Sequence, residues 1–166
     1  MCKKNNLIEI IILILILNSF FAAKSFAISD KDKDVARKNP NSSFAEGLAK
    51  NQRYKVTDED KTFARNNPST KFARELAQNP NYIVSIEDKT FAHKNPDSGF
   101  AEGVAQNPSY LIRPEDKEFA RNNPYTKYAI GLLLNPTYII EPADREFARN
   151  NPDTIIAGTI AKNPSH

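Results

Sequence analysis

One cysteine, one methionine, two histidines, five glycines and no tryptophan occur in this chain of 166 residues. Each scarcity closes a class of function. A lone Cys2 builds neither a disulfide framework, nor a cysteine zinc cluster, nor a Cys-x-x-Cys redox pair. His93 and His166 alone leave little for histidine-bound metal or general-base chemistry. The chain has no Gly-rich phosphate loop, paired-histidine metal motif or nucleophile elbow. Asp30-Lys-Asp-Lys-Asp34 resembles the opening of a calcium loop, but Val35 stands at the sixth position, where glycine is needed, and Asn41 at the twelfth, where a bidentate glutamate belongs. Those acids read as a helix start, and no metal or cofactor is expected.

The first 27 residues read as a secretory signal and not as part of the fold. Lys3 and Lys4 precede an apolar run from Leu7 to Leu17 broken only by Glu9, and small residues follow up to Ala27. The run is shorter than the ~20 residues of an unaided membrane span. Cleavage is therefore expected, after Ala27 or after Ser25, with an uncleaved anchor as the alternative. Removing Lys3, Lys4, Lys24 and Glu9 leaves 20 basic and 19 acidic residues, a net charge of +1. Near neutrality argues against a polyanion binder driven by bulk charge.

What remains is one message written five times. Asn-Pro ends at Pro40, Pro68, Pro96, Pro124 and Pro152, a period of 28 with no insertion. The units are 31–58, 59–86, 87–114, 115–142 and 143–166, the last stopping four residues short. A strict period of this size marks a stacked array, because a single small unit cannot bury its apolar face alone. No separate catalytic domain is expected beside the five units.

Each unit reads as two short helices and an extended connector. Ser29-x-x-Asp32, Thr57-x-x-Asp60 and Ser85-x-x-Asp88 fit a side-chain N-cap with an acid at the third helical position. Pro114 and Pro142 occupy the first helical position of the last two units, where proline is tolerated. The first helix must stop before Asn-Pro, since proline disfavours helical geometry in the residue before it. The second helix carries Phe72, Ala73, Leu76 and Ala77 on one face, and the other copies repeat that spacing. Tyr54, Tyr82, Tyr110 and Tyr138 then open connectors read as extended links that plug a ring between helices, with tiny strands as the alternative. The expected core joins these tyrosines to Phe63, Phe91, Phe119, Phe147, Phe72, Phe100 and Tyr128, with Ala64, Ala92, Ala120 and Ala148 allowing close approach.

Two surface features qualify as candidate sites. Lys33/Arg37, Lys61/Arg65, Lys89/His93, Lys117/Arg121 and Arg145/Arg149 are four apart on successive first helices, so stacking lines them into a basic stripe that suits an anionic ligand or an acidic partner. The competing reading is a solvated face balanced by neighbouring acids, with His93 a surface base in an arginine slot. The second feature is a departure from the period. Glu46/Lys50, Arg74/Gln78 and Glu102/Gln106 are followed by Ile130/Leu134, so the fourth second helix is apolar on both sides, and Ile155 falls in the same angular sector. A partner or self-association surface is expected there, against a local packing adjustment.

The unit is similar in kind to the helix-turn-helix units of tetratricopeptide-type arrays, yet it is shorter and lacks their Trp, Gly and Tyr landmarks. The likeness covers architecture and transfers no functional residues. The sequence reading is an exported, all-α solenoid serving as a non-catalytic binding or structural scaffold, with no specific nucleic-acid ligand and membrane contact only through an uncleaved signal. A largely disordered repetitive surface protein is the first rival, supported by an apolar content of about 35% beyond Ala27. A small secreted hydrolase is the second, opposed by acids that recur identically where a catalytic pair would be unique.

Overall fold

The computed structural model describes residues 28–162. The expected signal segment, residues 1–27, lies outside them. Within the described residues the chain is all-α, with no strand. The helices come in pairs, one pair per sequence unit: α1 Asp30–Lys38 and α2 Ser43–Lys50, α3 Asp58–Asn66 and α4 Lys71–Gln78, α5 Ile86–Lys94 and α6 Gly99–Gln106, α7 Pro114–Asn122 and α8 Lys127–Leu134, α9 Pro142–Asn150 and α10 Ile155–Lys162. Each pair packs together, and each second helix packs on the second helix of the next unit, which is the contact pattern of a helical-repeat fold.

The helix starts follow the cap chemistry. Ser29, Thr57 and Ser85 accept from the amides of Asp32, Asp60 and Asp88, and those carboxylates accept from the cap amides in return. Where proline takes the first helical place, Asp116 and Asp144 still hold the amides of Arg113 and Glu141 at 2.8 and 3.0 Å. Second helices start on Ser42, Thr70, Ser98 and Thr126, whose hydroxyls accept from amides three residues on. Each cap of this kind contributes about 1 kcal/mol.

Packing between units uses three devices. Rings fill the space: Tyr54, Phe72, Tyr82, Phe100, Tyr110 and Tyr128 are fully buried, each worth about 1.5–3 kcal/mol of burial or more. Phe63, Phe91 and Phe119 are half-buried and meet the second-helix rings edge-on at 5.8, 5.5 and 5.4 Å between centroids. Backbone bonds join neighbours, since the carbonyls of Pro40, Pro68 and Pro96 accept from the amides of Phe72, Phe100 and Tyr128 at 2.8–2.9 Å. Asparagine side chains form a ladder. Asn79, Asn107 and Asn135 each donate to the carbonyl of the alanine thirty residues back, Ala49, Ala77 and Ala105, at 2.6–2.7 Å. These satisfy helix-end carbonyls that have no partner within their own helix. The connectors pair with no neighbouring strand. They hold their tyrosines inward, with Ile83, Leu111 and Ile139 exposed next to them.

Candidate interaction surface

The lysines of the expected stripe do not stand free. Lys33, Lys61, Lys89 and Lys117 donate to the connector carbonyls of Lys55, Ile83, Leu111 and Ile139 at 2.7–2.9 Å. Each ammonium also lies 4.0–5.1 Å from the centre of a connector tyrosine ring. Burial lowers the pKa of Lys89. The arginines turn onto the next unit: Arg37 reaches Asp60 at 2.9 Å, Arg65 reaches Asp88 at 2.7 Å and Arg121 reaches Asp144 at 2.7 Å. Those three aspartates are buried and also accept from cap amides, so the cations compensate charges that would otherwise be costly. Spacing brought these side chains to one side, but the lysine ends are engaged on the connectors of their own units and the arginine ends on the next unit. In the last unit Arg149 is exposed and Arg145 half-buried.

His93 is not the surface base expected from the sequence. Its Nε2 hydrogen-bonds Tyr128 Oη at 2.9 Å and lies 3.2 Å from Asp116 Oδ1, and its ring stacks on Phe119 at 4.8 Å. Tyr110 and Tyr128 both donate to Asp116, and their hydroxyls contact each other. This is the junction where arginine gives way to histidine and phenylalanine to tyrosine. The shorter imidazole borders a cleft of about 380 Å³ lined by Ser85, Lys89, Thr90, Arg113 and Glu115. The hydroxyls there are committed: Ser85 to Asp88, Thr90 to the Ile86 carbonyl and Ser109 to the Tyr82 carbonyl. Burial, first among the causes, pushes the phenols of Tyr110 and Tyr128 far above the usual tyrosine range.

The apolar candidates lie along a row that is polar elsewhere. On α2, α4 and α6, Lys50 pairs with Glu46 at 2.6 Å, Arg74 pairs with Glu75 at 2.6 Å, and Gln78 bonds Gln106. At α8 the same register holds Ile130, half-buried, and Leu134, 56% exposed. On α10, which packs on α8, the register holds Gly158 and Lys162, and a side chain built at Gly158 would meet nothing within 4 Å. Gly158 stands at the register of Ile130, and exposed Lys162 at that of exposed Leu134. Ile155 opens α10 at 50% exposure. The three residues sit on two contacting helices, flanked by exposed Lys127 and Lys162. No helix among the described residues is long and apolar enough to cross a membrane, and no group of acids, histidines or cysteines there fits a metal ion. No protein-family model, curated protein or solved structure matches this chain.

Proposed function

We propose that the five units stack as one α-solenoid, that the chain is exported behind residues 1–27, and that it serves as a non-catalytic scaffold whose protein partner docks on α8 and α10. The observation that carries this reading is the change from ion-paired side chains on α2 and α4 to exposed Leu134 and Ile155 at the other end. An apolar patch between flanking lysines suits a partner helix or loop with an apolar centre and acidic rim. The committed hydroxyls around His93 favour binding over hydrolysis.

A far-ultraviolet circular dichroism melt comes first: a helical spectrum with one sigmoidal transition is expected, and a coil spectrum without a transition would favour the disordered repetitive chain. Amine cross-linking from Lys127 and Lys162 then reports the docked partner. Ile130→Lys with Leu134→Lys should leave the melt in place and remove those cross-links. Unfolding by the double change would assign both residues to the core and end the docking reading.

A further inference from the structure

The junctions between units have a receiving side and a supplying side. In units two to four the unit that follows contributes a helix-start aspartate, a second-helix ring and an asparagine amide, with a glycine at the helix contact in units three and four, where unit two has buried Glu75. The unit that precedes contributes an arginine, or His93 in unit three, a proline carbonyl and the carbonyls at the end of its second helix. Unit one, 31–58, carries residues of each of these types at the same registers. Asp32 matches Asp60, Phe44 matches Phe72, Gly47 matches Gly103 and Gly131, and Asn51 matches Asn79.

Among the described residues none of the four is occupied. Asp32 is bonded by Ser29, which lowers its pKa and keeps it ionised, but it has no cation within 4.0 Å. Phe44 is 47% exposed, whereas Phe72 and Phe100 are fully buried. A side chain at Gly47 would meet nothing within 4 Å, although the same register in Gly103 and Gly131 is what admits the preceding helix. Glycine inside a helix costs about 0.5–1 kcal/mol relative to alanine, and at Gly47 no described neighbour uses the room. The Asn51 side chain accepts from the Arg53 amide and donates to no described residue.

Unit five carries the supplying side. Arg149 stands at the register of Arg37, Arg65 and Arg121, is exposed, and has no ion-pair partner among the described residues. Pro152 and Ala161 stand at the registers of Pro40 and Ala49, whose carbonyls accept from the next unit. We propose that copies of this chain join end to end, unit five of one copy docking on unit one of the next with Arg149 on Asp32. Face one lacks the cation and face five lacks the buried aspartate, so neither face suits itself. The contact is therefore heterologous and does not close, which yields open-ended chains of copies in place of a two-fold dimer. The inference rests on the stacked-array reading above and is independent of the α8/α10 patch.

Sedimentation velocity on the full chain over a concentration series tests it. Mass is expected to grow past the dimer without a plateau. Asp32→Arg and Arg149→Asp, each alone, should weaken association by about tenfold or more, because like charges then face each other. An equimolar mixture of the two variants should restore growth, since each reversed charge finds its complement, and the double variant should grow alone. Circular dichroism checks that each variant is folded. A cooperative, helical, monomeric chain overturns this proposal and leaves the α8/α10 reading standing. Association indifferent to both reversals, or one that stops at a dimer, overturns it equally. Growth that survives Ile130→Lys with Leu134→Lys, while the cross-links of that patch disappear, supports both readings separately.

Discussion

A Cβ built on Gly131 lies 2.7 Å from the carbonyl oxygen of Glu102 and 2.9 Å from the Cβ of Ala105. Helices α6 and α8 approach this closely only because residue 131 has no side chain. Gly158, on the next second helix, faces open space. The two glycines should respond oppositely to the same change. Gly131→Ala is expected to destabilise by about 1–3 kcal/mol through forced separation of the helices. Gly158→Ala should stabilise by about 0.5–1 kcal/mol by restricting the unfolded chain and favouring helix. Denaturant midpoints at constant slope measure both, and equal effects would refute the close approach.

The side chain of Asn107 donates to three carbonyls, those of Ala77, Asn79 and Tyr82, at 2.6–3.1 Å, and it is fully buried. Asn107→Ala leaves these acceptors without the donor in a site closed to water. A loss of about 2–4 kcal/mol is expected. Asn51→Ala removes an exposed side chain whose only bond among the described residues is to the Arg53 amide, and should stay within about 0.5 kcal/mol in the monomer. A large loss at Asn51 and a small one at Asn107 would reverse the assignment of the ladder.

These residues also show how far the sequence could be read. The period, the caps at Ser29, Thr57 and Ser85 and the inward tyrosines were legible because each is a local signal repeated at one spacing. Asparagine in Asn-Pro reads as a helix terminator, which it is. That Asn79, Asn107 and Asn135 also reach the preceding unit depends on how units stack, which no local pattern carries. Lys33 and Arg37 fell correctly on one helix side, but a long side chain ends several ångströms from its backbone, and here Lys33 ends on its own connector and Arg37 on the next unit. His93 looked like a drifted surface base because its partner Tyr128 is 35 residues away. A signal existed: the histidine and the tyrosine are paired departures from the period, in slots that meet across a junction. Leu134 was legible because its exposure follows from helical angle alone.

The pairing of His93 with Tyr128 makes a double-mutant cycle informative. His93→Arg alone brings a guanidinium against a phenol, and Tyr128→Phe alone removes a hydroxyl bonded to both His93 and Asp116. Both changes together recreate the Arg65–Asp88 arrangement beside Phe100. Each single variant should be less stable than the parent, while the double variant should match or exceed it. A coupling of about 0.5–3 kcal/mol is expected. Strict additivity in thermal or denaturant unfolding would show that the two residues do not act as one contact.

Alkaline pH should dismantle the fold through its tyrosines. Burial, first among the causes, raises the pKa of Tyr54, Tyr82, Tyr110, Tyr128 and Tyr138, and the neighbouring aspartates add to the shift. Tyr54, Tyr82 and Tyr110 donate to Asp60, Asp88 and Asp116 at 2.7–3.0 Å, bonds that a phenolate would turn into repulsion. A raised acid leaves stability intact below the unfolded value, about pH 10 for tyrosine. Above it, the unfolded chain releases phenolic protons that the folded chain retains. Stability then falls by about 1.4 kcal/mol per pH unit for each such tyrosine. Five acting together make the loss steep, so helicity and phenolate absorbance should change in a single transition above about pH 10. If most of the phenolate signal developed while the helical spectrum persisted, the rings would be reaching solvent in the folded chain, and the tyrosine–aspartate contacts would not be the ones holding the units together.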